Sequence, residues 1–175
     1  LGGLSTSSVV LHEFSFVRNQ GYSPAIAAAV LSTHATMALT IRPVWGILLE
    51  HIPVRYCMAG VYAGSLAALV ILLNANSVQM LFAFAVVYGM SIAGHAVSNA
   101  VVFADYFGRD YVGTIRGVVT PMTATASAIG PLLVSIGFDN LGDYFWPFTV
   151  MATLLLIGIP VFLLATPPVR KTSVI

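Results

Sequence analysis

Long apolar stretches, separated by short polar breaks, decide which kind of fold this sequence can adopt. Residues 56–73 and 78–104 contain no Asp, Glu, Lys or Arg. A helix of about 20 apolar residues crosses the ~30 Å hydrocarbon core of a bilayer. Only 7% of the chain is charged, against roughly 25% in soluble domains. The sequence therefore predicts an all-α membrane protein in contact with the lipid bilayer.

The polar breaks divide the chain into six predicted spans. Ser23-Pro24 supplies a helix cap followed by proline at the first helical position, and the second span runs from there without interruption. The first span is short for a bilayer, and the chain opens with Leu1. We therefore expect a fragment whose first helix is truncated. The predicted spans are residues 1–17, 24–49, 56–73, 78–104, 113–137 and 145–166.

Basic residues are distributed unevenly between the two ends of these spans. Arg18 lies alone on one side. Cytoplasmic loops carry an excess of Lys and Arg, so the richer side should be cytoplasmic. Both ends of the chain are then cytoplasmic, and the plasma (inner) membrane is the expected location. The residues of the richer side are Arg55, Arg109, Arg116, Arg170 and Lys171.

Composition also excludes several classes of function. The net charge of +1 comes without a basic run, so nucleic acid is not an expected partner. The single cysteine, Cys57, forms no internal disulfide, and the four histidines lack the spacing of a zinc site. We expect no metal, no cofactor and no enzymatic activity.

Arg42 lies inside the otherwise apolar second span. An arginine in hydrocarbon costs at least ~2.5–3.5 kcal/mol, so it indicates a function and a partner. A guanidinium can bind a carboxylate through two parallel hydrogen bonds. The alternative is a side chain that reaches the cytoplasmic interface near Glu50, eight residues or about 12 Å further along the helix.

Two histidines are candidates for the same cavity. His12 lies in the first span, where its imidazole could titrate with a substrate or relay a proton. Glu13, which is adjacent, should face a different way. His34 lies about 80° round the helix from Arg42 and could line the cavity with it. For both histidines, hydrogen bonding or packing against a neighbouring helix is the alternative.

A polar stripe follows the fourth span. Ser91, His95 and Asn99 recur every four residues and therefore share one face of a helix. Such a stripe is expensive in lipid, so it should face the cavity or another helix. His95 and Asn99 are candidate substrate contacts, and hydrogen bonding between helices is the alternative. Gly60-x-x-x-Gly64 in the third span suits close helix packing.

Charged residues near the cytoplasmic ends of the spans are candidates for an inward gate. Ion pairs among them would hold the gate closed, whereas solvated loop charges would contribute little. The candidates are Glu50, Arg55, Asp105, Arg109 and Arg116.

Several local patterns together resemble the C-terminal half of a major facilitator superfamily transporter. The stretch from Gly46 to Arg55 resembles the loop G-x-L-x-D-R-x-G-R between helices eight and nine. The stretch 104–117 resembles the loop after helix ten, and Gly130-Pro131 resembles helix eleven. The resemblance implies helices seven to twelve of a twelve-helix protein, built from two three-helix repeats of inverted topology. The N-terminal six-helix half would be its partner.

Within that superfamily, Arg42-Pro43-Val44-Trp45-Gly46 is similar to the R-P-x-x-G of helix eight in monocarboxylate transporters. It is also similar to the arginine-bearing helix of oxalate:formate antiporters. The resemblance implies that Arg42 pairs with a substrate carboxylate. Ala38 stands where eukaryotic monocarboxylate carriers have an aspartate, so proton coupling is not implied by that position.

The predicted function is secondary active transport of a small organic anion, a monocarboxylate or dicarboxylate, by alternating access. Symport and antiport are both open, and protons are a candidate coupling ion. The alternatives are transport of a neutral or cationic small molecule, a non-transporting membrane scaffold, and an intramembrane enzyme that uses the histidines with Glu13 or Asp105. No HExxH or serine-elbow motif supports an enzyme.

Overall fold

Seven helices make up the computed structural model, which describes residues 2–108 and 112–166. The described part contains no strand, so the all-α prediction is confirmed. Ser23 caps the second helix as predicted, because its hydroxyl accepts from the backbone N–H of Ile26 at 3.3 Å. The helices are α1 Gly2–Asn19, α2 Pro24–Thr40, α3 Arg42–His51, α4 Val54–Leu73, α5 Val78–Phe107, α6 Val112–Leu141 and α7 Phe145–Leu164.

The second predicted span is broken into α2 and α3. The two helices meet at Ile41 with an angle of 41° between them. Pro43 explains the break, because it has no N–H to donate to Leu39 and its ring clashes with that carbonyl. The prediction of an uninterrupted helix over residues 24–49 is therefore wrong at Ile41. Arg42 becomes the first residue of α3 rather than a mid-helix residue.

Four helices, α4 to α7, are long and apolar enough to cross a membrane, and α2 with α3 forms a fifth span if the bent pair is taken together. The six predicted spans correspond to six helical segments if α2 and α3 are counted as one. Length and hydropathy support at most five of them, and α1 is the segment that does not meet the criterion. α1 has 18 residues, a length of about 27 Å. Its serines and Glu13 lower its hydropathy. The other predicted ends differ from the observed ones by a few residues, as helix ends commonly do.

The helices pack in a definite order. α1 packs mainly on α6, with α2 and α7 as further neighbours, while α5 packs between α4 and α2. α7 packs mainly on α4. Tyr88, Phe84 and Phe148 are the largest fully buried side chains. α6 is the least buried of the long helices, with only Gly130 and Val134 buried. A large part of its surface is therefore free for lipid or another domain.

The two ends of the bundle carry different groups. Asn19, Leu73 and Asp143 line one cavity, where α1 and α4 end and α7 begins. Pro53, Asp105 and Thr166 line another, where α4 begins and α5 and α7 end. Successive segments therefore run in opposite directions, as the assignment of alternating loops requires.

Cysteine labelling tests the predicted orientation of these two ends. In the complete protein carrying Cys57→Ala, cysteines at positions 76 and 141 should react with an impermeant thiol reagent added from outside. Cysteines at 55 and 109 should react only after permeabilisation, because the basic end is expected to be cytoplasmic. Cys57 is 3% exposed, so its removal takes away little background. Labelling in the reverse sense would overturn the orientation.

Candidate functional site

Arg42 begins α3 at the helix break, and its side chain is exposed in the described part of the chain. Its Nε donates to the carbonyl oxygen of Ala38 at 3.1 Å. Because the helix breaks here, this carbonyl needs a new donor. Neither Nη atom of Arg42 has a hydrogen-bond partner within residues 2–108 and 112–166. Its Nε thus holds the guanidinium against Ala38, and the two Nη groups have no partner among the described residues.

Trp45 fixes α3, and with it Arg42, against α5. The indole Nε1 donates to the carbonyl oxygen of Met90 at 2.8 Å. The indole ring lies against Gly94, where a Cβ atom would collide with it. Sequence reasoning did not single out Trp45 as a functional residue, although it lies within the stretch Arg42–Gly46. A tryptophan three residues after the arginine, on the same helix face, was the available signal.

A buried acid and a histidine meet between α1 and α2. Nδ1 of His34 lies 3.0 Å from each carboxylate oxygen of Glu13. Glu13 is 1% exposed and His34 is 4% exposed. The hydrogen bond is directed at Oε1, so Oε2, although equally near, has no donor among the described residues. This is the only side-chain ion pair that the described residues form.

Tyr88, on a third helix, α5, packs against this acid–histidine pair. Its ring centroid lies 5.2 Å from that of His34, and its hydroxyl donates to the carbonyl oxygen of Thr6 at 3.4 Å. Gly89 brings α5 so close to α2 that an added Cβ would lie 2.5 Å from the backbone oxygen of His34. Three helices therefore enclose Glu13 and His34.

His12 faces a different way from Glu13 on α1, as the sequence predicted. Its Nε2 lies 3.1 Å from the carbonyl oxygen of Pro131 and 3.5 Å from the hydroxyl of Ser135. Its ring lies 5.7 Å from that of Tyr144. The side chain is half-buried and bound to α6, which is the interhelical contact named as its alternative.

The polar stripe of α5 is divided among three environments. Ser91 is buried and donates to the carbonyl oxygen of Val87 within its own helix at 3.0 Å. His95 is half-buried, with its ring 6.4 Å from that of Tyr62. Asn99 is exposed and lines a cavity of about 370 Å³ between α5 and α6. Of the three, Asn99 has the most open position.

The gate candidates that the structure describes lie at one end of the bundle. Glu50 and Asp105 line one cavity of about 270 Å³, and Arg55 shares a neighbouring cavity with Asp105. Arg116 donates instead to the carbonyl oxygens of Asn99 at 3.3 Å and Ala100 at 2.8 Å. The expected ion pairs are not formed among these residues within 4 Å. The fifth candidate, Arg109, lies outside the described residues.

Within residues 2–108 and 112–166, no three His, Cys, Asp or Glu side chains converge. What the arrangement offers is an exposed cation, Arg42, and a buried acid–histidine pair, Glu13 with His34. Arg42 begins α3 and His34 lies in α2, eight residues earlier in the sequence, while Glu13 belongs to α1.

Comparison with known proteins agrees with this description. A search of curated proteins gives no match. The sequence profile of the Major Facilitator Superfamily matches residues 1–174, which is nearly the whole chain. Its members are membrane transporters, and the apolar helices described above suit that role. The chain therefore belongs to the Major Facilitator Superfamily.

Proposed function

We propose that this protein transports a small organic anion, a monocarboxylate or dicarboxylate, and that Arg42 binds the carboxylate. One observation carries the proposal: Arg42 is exposed inside an apolar segment with Nε bound and both Nη groups unengaged in the described residues. A cation in hydrocarbon is retained when a function needs it. An anion is the partner that would offset its charge.

The helix break strengthens the case for an anion. In transporters, discontinuous helices point the N-termini of their halves at anionic substrate groups. Here Arg42 is the first residue of α3 and Pro43 the second, so the positive end of the α3 dipole coincides with the guanidinium. Both effects favour negative charge at the same point. Because Nε is bound to Ala38, a carboxylate would bind end-on to Nη1 and Nη2.

Alternating access would bring this site to each side of the membrane in turn. We propose that the chain described here rocks against an N-terminal six-helix half, with the substrate between them. Arg42 and Asn99 are the predicted substrate contacts that are exposed in the described part of the chain. His34 is enclosed by other helices and would act indirectly.

Uptake into proteoliposomes that contain the complete protein tests the proposal. Labelled monocarboxylates and dicarboxylates should be taken up, and unlabelled carboxylates should compete with them. The matching amides keep the shape and lose the charge. Their binding free energy should therefore be weaker by the ~1.5–3 kcal/mol of a charge-assisted hydrogen bond, and they should compete poorly. Equal competition by the amides would contradict an anion site and favour a neutral substrate.

A further inference from the structure

A second cation, Arg116 of α6, lines a cavity that the carboxylate site at Arg42 does not explain. The cavity has a volume of about 370 Å³ and lies between α5 and α6. Its polar lining residues are Asn99, Arg116, Thr120 and Thr123, and the others are alanine, phenylalanine and valine. Arg116, Thr120 and Thr123 follow one another at intervals of four and three residues, so they share one face of α6. The cavity is therefore a polar recess in an apolar part of the chain.

The guanidinium of Arg116 extends into the bundle rather than toward the near end of its helix. Arg116 itself lies four residues, or about 6 Å, from the start of α6 at Val112. Its Nη2 donates to the carbonyl oxygens of Asn99 at 3.3 Å and Ala100 at 2.8 Å. These two residues lie about 11 Å from the end of α5 at Phe107. A basic side chain that only sought water would extend the other way, toward the membrane surface.

The charge of Arg116 has no counter-ion among the described residues. In that part of the chain, the only side-chain ion pair is that of Glu13 with His34, so no carboxylate lies within 4 Å of Arg116. Asp105 of α5 lines two other cavities, and Arg116 lines neither of them. Within residues 2–108 and 112–166, Nε and Nη1 of Arg116 make no hydrogen bond. The ring of Phe103 lies 5.8 Å from its Cζ atom.

We infer that this cavity is a second anion site, in which Arg116, Asn99 and Thr120 bind the oxygens of a carboxylate or phosphate group. Nη2 is engaged by the two carbonyl oxygens, so Nη1 makes the charged contact. The amide of Asn99 and the hydroxyl of Thr120 supply the further donors. Such a group has two sources, a free anion in solution and an anionic phospholipid. Basic pockets between membrane helices at the cytoplasmic side bind lipid headgroups.

The second site is separate from the proposed carboxylate site. Trp45, three residues after Arg42, contacts Gly94 of α5. Asn99 lies five residues beyond Gly94 along the same helix. The C-terminal parts of α3 and α5 line one cavity, so the two helices run in the same direction. These steps together separate Asn99 from the level of Arg42 by roughly 12 Å, more than a small carboxylate spans. Asn99 therefore belongs with Arg116, and the inference goes beyond the function proposed for Arg42.

Protection of an introduced cysteine tests this site in the complete protein. Thr123→Cys, made together with Cys57→Ala, places one thiol in the cavity, where its rate of alkylation by N-ethylmaleimide can be measured. In detergent without lipid, acetate or inorganic phosphate should slow alkylation if the ligand is a free anion. In vesicles, replacing pure phosphatidylcholine by equal parts of phosphatidylcholine and phosphatidylglycerol should slow it if the ligand is a lipid headgroup. Arg116→Gln should raise the half-protecting concentration at least ~10-fold, as expected for loss of a charge-assisted hydrogen bond.

Arg55→Gln is the matched control, because it removes a positive charge from the same end of the bundle but not from this cavity. It should leave protection unchanged, and so should Arg42→Gln. Asn99→Leu, which keeps Arg116 and removes one donor, should weaken protection by a smaller factor and serves if Arg116→Gln alters the rate measured without anion.

Three results would overturn the inference: no protection by acetate, phosphate or phosphatidylglycerol, equal protection in Arg116→Gln and wild type, and loss of protection in Arg42→Gln. The test also separates this site from the proposed function. Protection that depends on Arg116 supports the second site even if the protein takes up no carboxylate. Carboxylate uptake that depends on Arg42, without any protection at position 123, supports the proposed function and rejects the second site.

Discussion

Arg42→Lys in the complete protein is expected to abolish most carboxylate uptake although the positive charge remains. In the structure, Nε binds the carbonyl oxygen of Ala38 at 3.1 Å and so orients the two Nη groups together. Lysine has a single ammonium group on a flexible stem and cannot make both contacts at once. Initial rates of labelled carboxylate uptake in proteoliposomes measure the loss. Arg18→Lys is the matched control, because Arg18 is exposed at the end of α1 and should tolerate the change.

Arg42→Gln separates the charge from the geometry. It should transport no better than Arg42→Lys, and carboxylate binding to the purified protein should weaken by the ~1.5–3 kcal/mol of a charged hydrogen bond. Both variants should still insert and express, since lysine keeps the charge that the wild type already inserts and glutamine removes a charge from hydrocarbon. Normal transport by Arg42→Gln would show that the guanidinium only reaches the membrane interface. The carboxylate proposal would then fail.

The helical architecture was predictable because apolar length alone determines most of it. The runs 56–73 and 78–104 became α4 and α5 with their ends shifted by a few residues. The break at Ile41 was missed for a physical reason. Pro43 would have ended a soluble helix, but membrane helices tolerate proline when neighbours satisfy the freed backbone groups. At the break, the side chain of Arg42 binds the carbonyl oxygen of Ala38, a contact that hydropathy does not reveal.

The pairing of Glu13 with His34 could not be deduced from spacing. The sequence correctly separated Glu13 from His12, because adjacent residues face different ways on a helix. It left both histidines between a cavity and a contact with a neighbouring helix, because the partner of each depends on how α1 sits between α2 and α6. Glu13 and His34 are 21 positions apart and lie on different helices, so their contact depends on how the helices pack. The signal that remained was a carboxylate in an otherwise apolar span, which needs a partner at any position.

The close contacts between helices could likewise be predicted only in part from the sequence. The Gly60-x-x-x-Gly64 motif indicated tight packing. Gly64 does pack closely on Ser91 of α5, but Gly60 is exposed and a Cβ there would meet nothing within 4 Å. Gly89 and Gly130 carry the tightest contacts with neighbouring backbones instead. Which glycine faces a neighbour depends on the rotation of each helix. A short motif does not specify that rotation.

Gly89→Ala should destabilise the protein and slow its transport. A Cβ at this position would lie 2.5 Å from the backbone oxygen of His34 and 2.7 Å from the Cβ of Met37. Neither atom is the end of a flexible side chain, so α5 must move away from α2. Such overpacking costs about 1–3 kcal/mol, and better helix propensity returns at most about 1 kcal/mol. The net effect is destabilising, and it displaces Tyr88 from the acid–histidine pair.

Gly60→Ala is the matched control, because it gains the same helix propensity without a collision. Thermal unfolding can be followed with a thiol-reactive dye, since Cys57 is buried in the folded protein and becomes reactive only on unfolding. The unfolding temperature should fall for Gly89→Ala and hold or rise for Gly60→Ala, and uptake of labelled carboxylate should fall only in the first. Equal unfolding temperatures for the two variants would mean that α5 and α2 do not approach as closely as the structure shows. The enclosure of Glu13 and His34 by three helices would then lose its support.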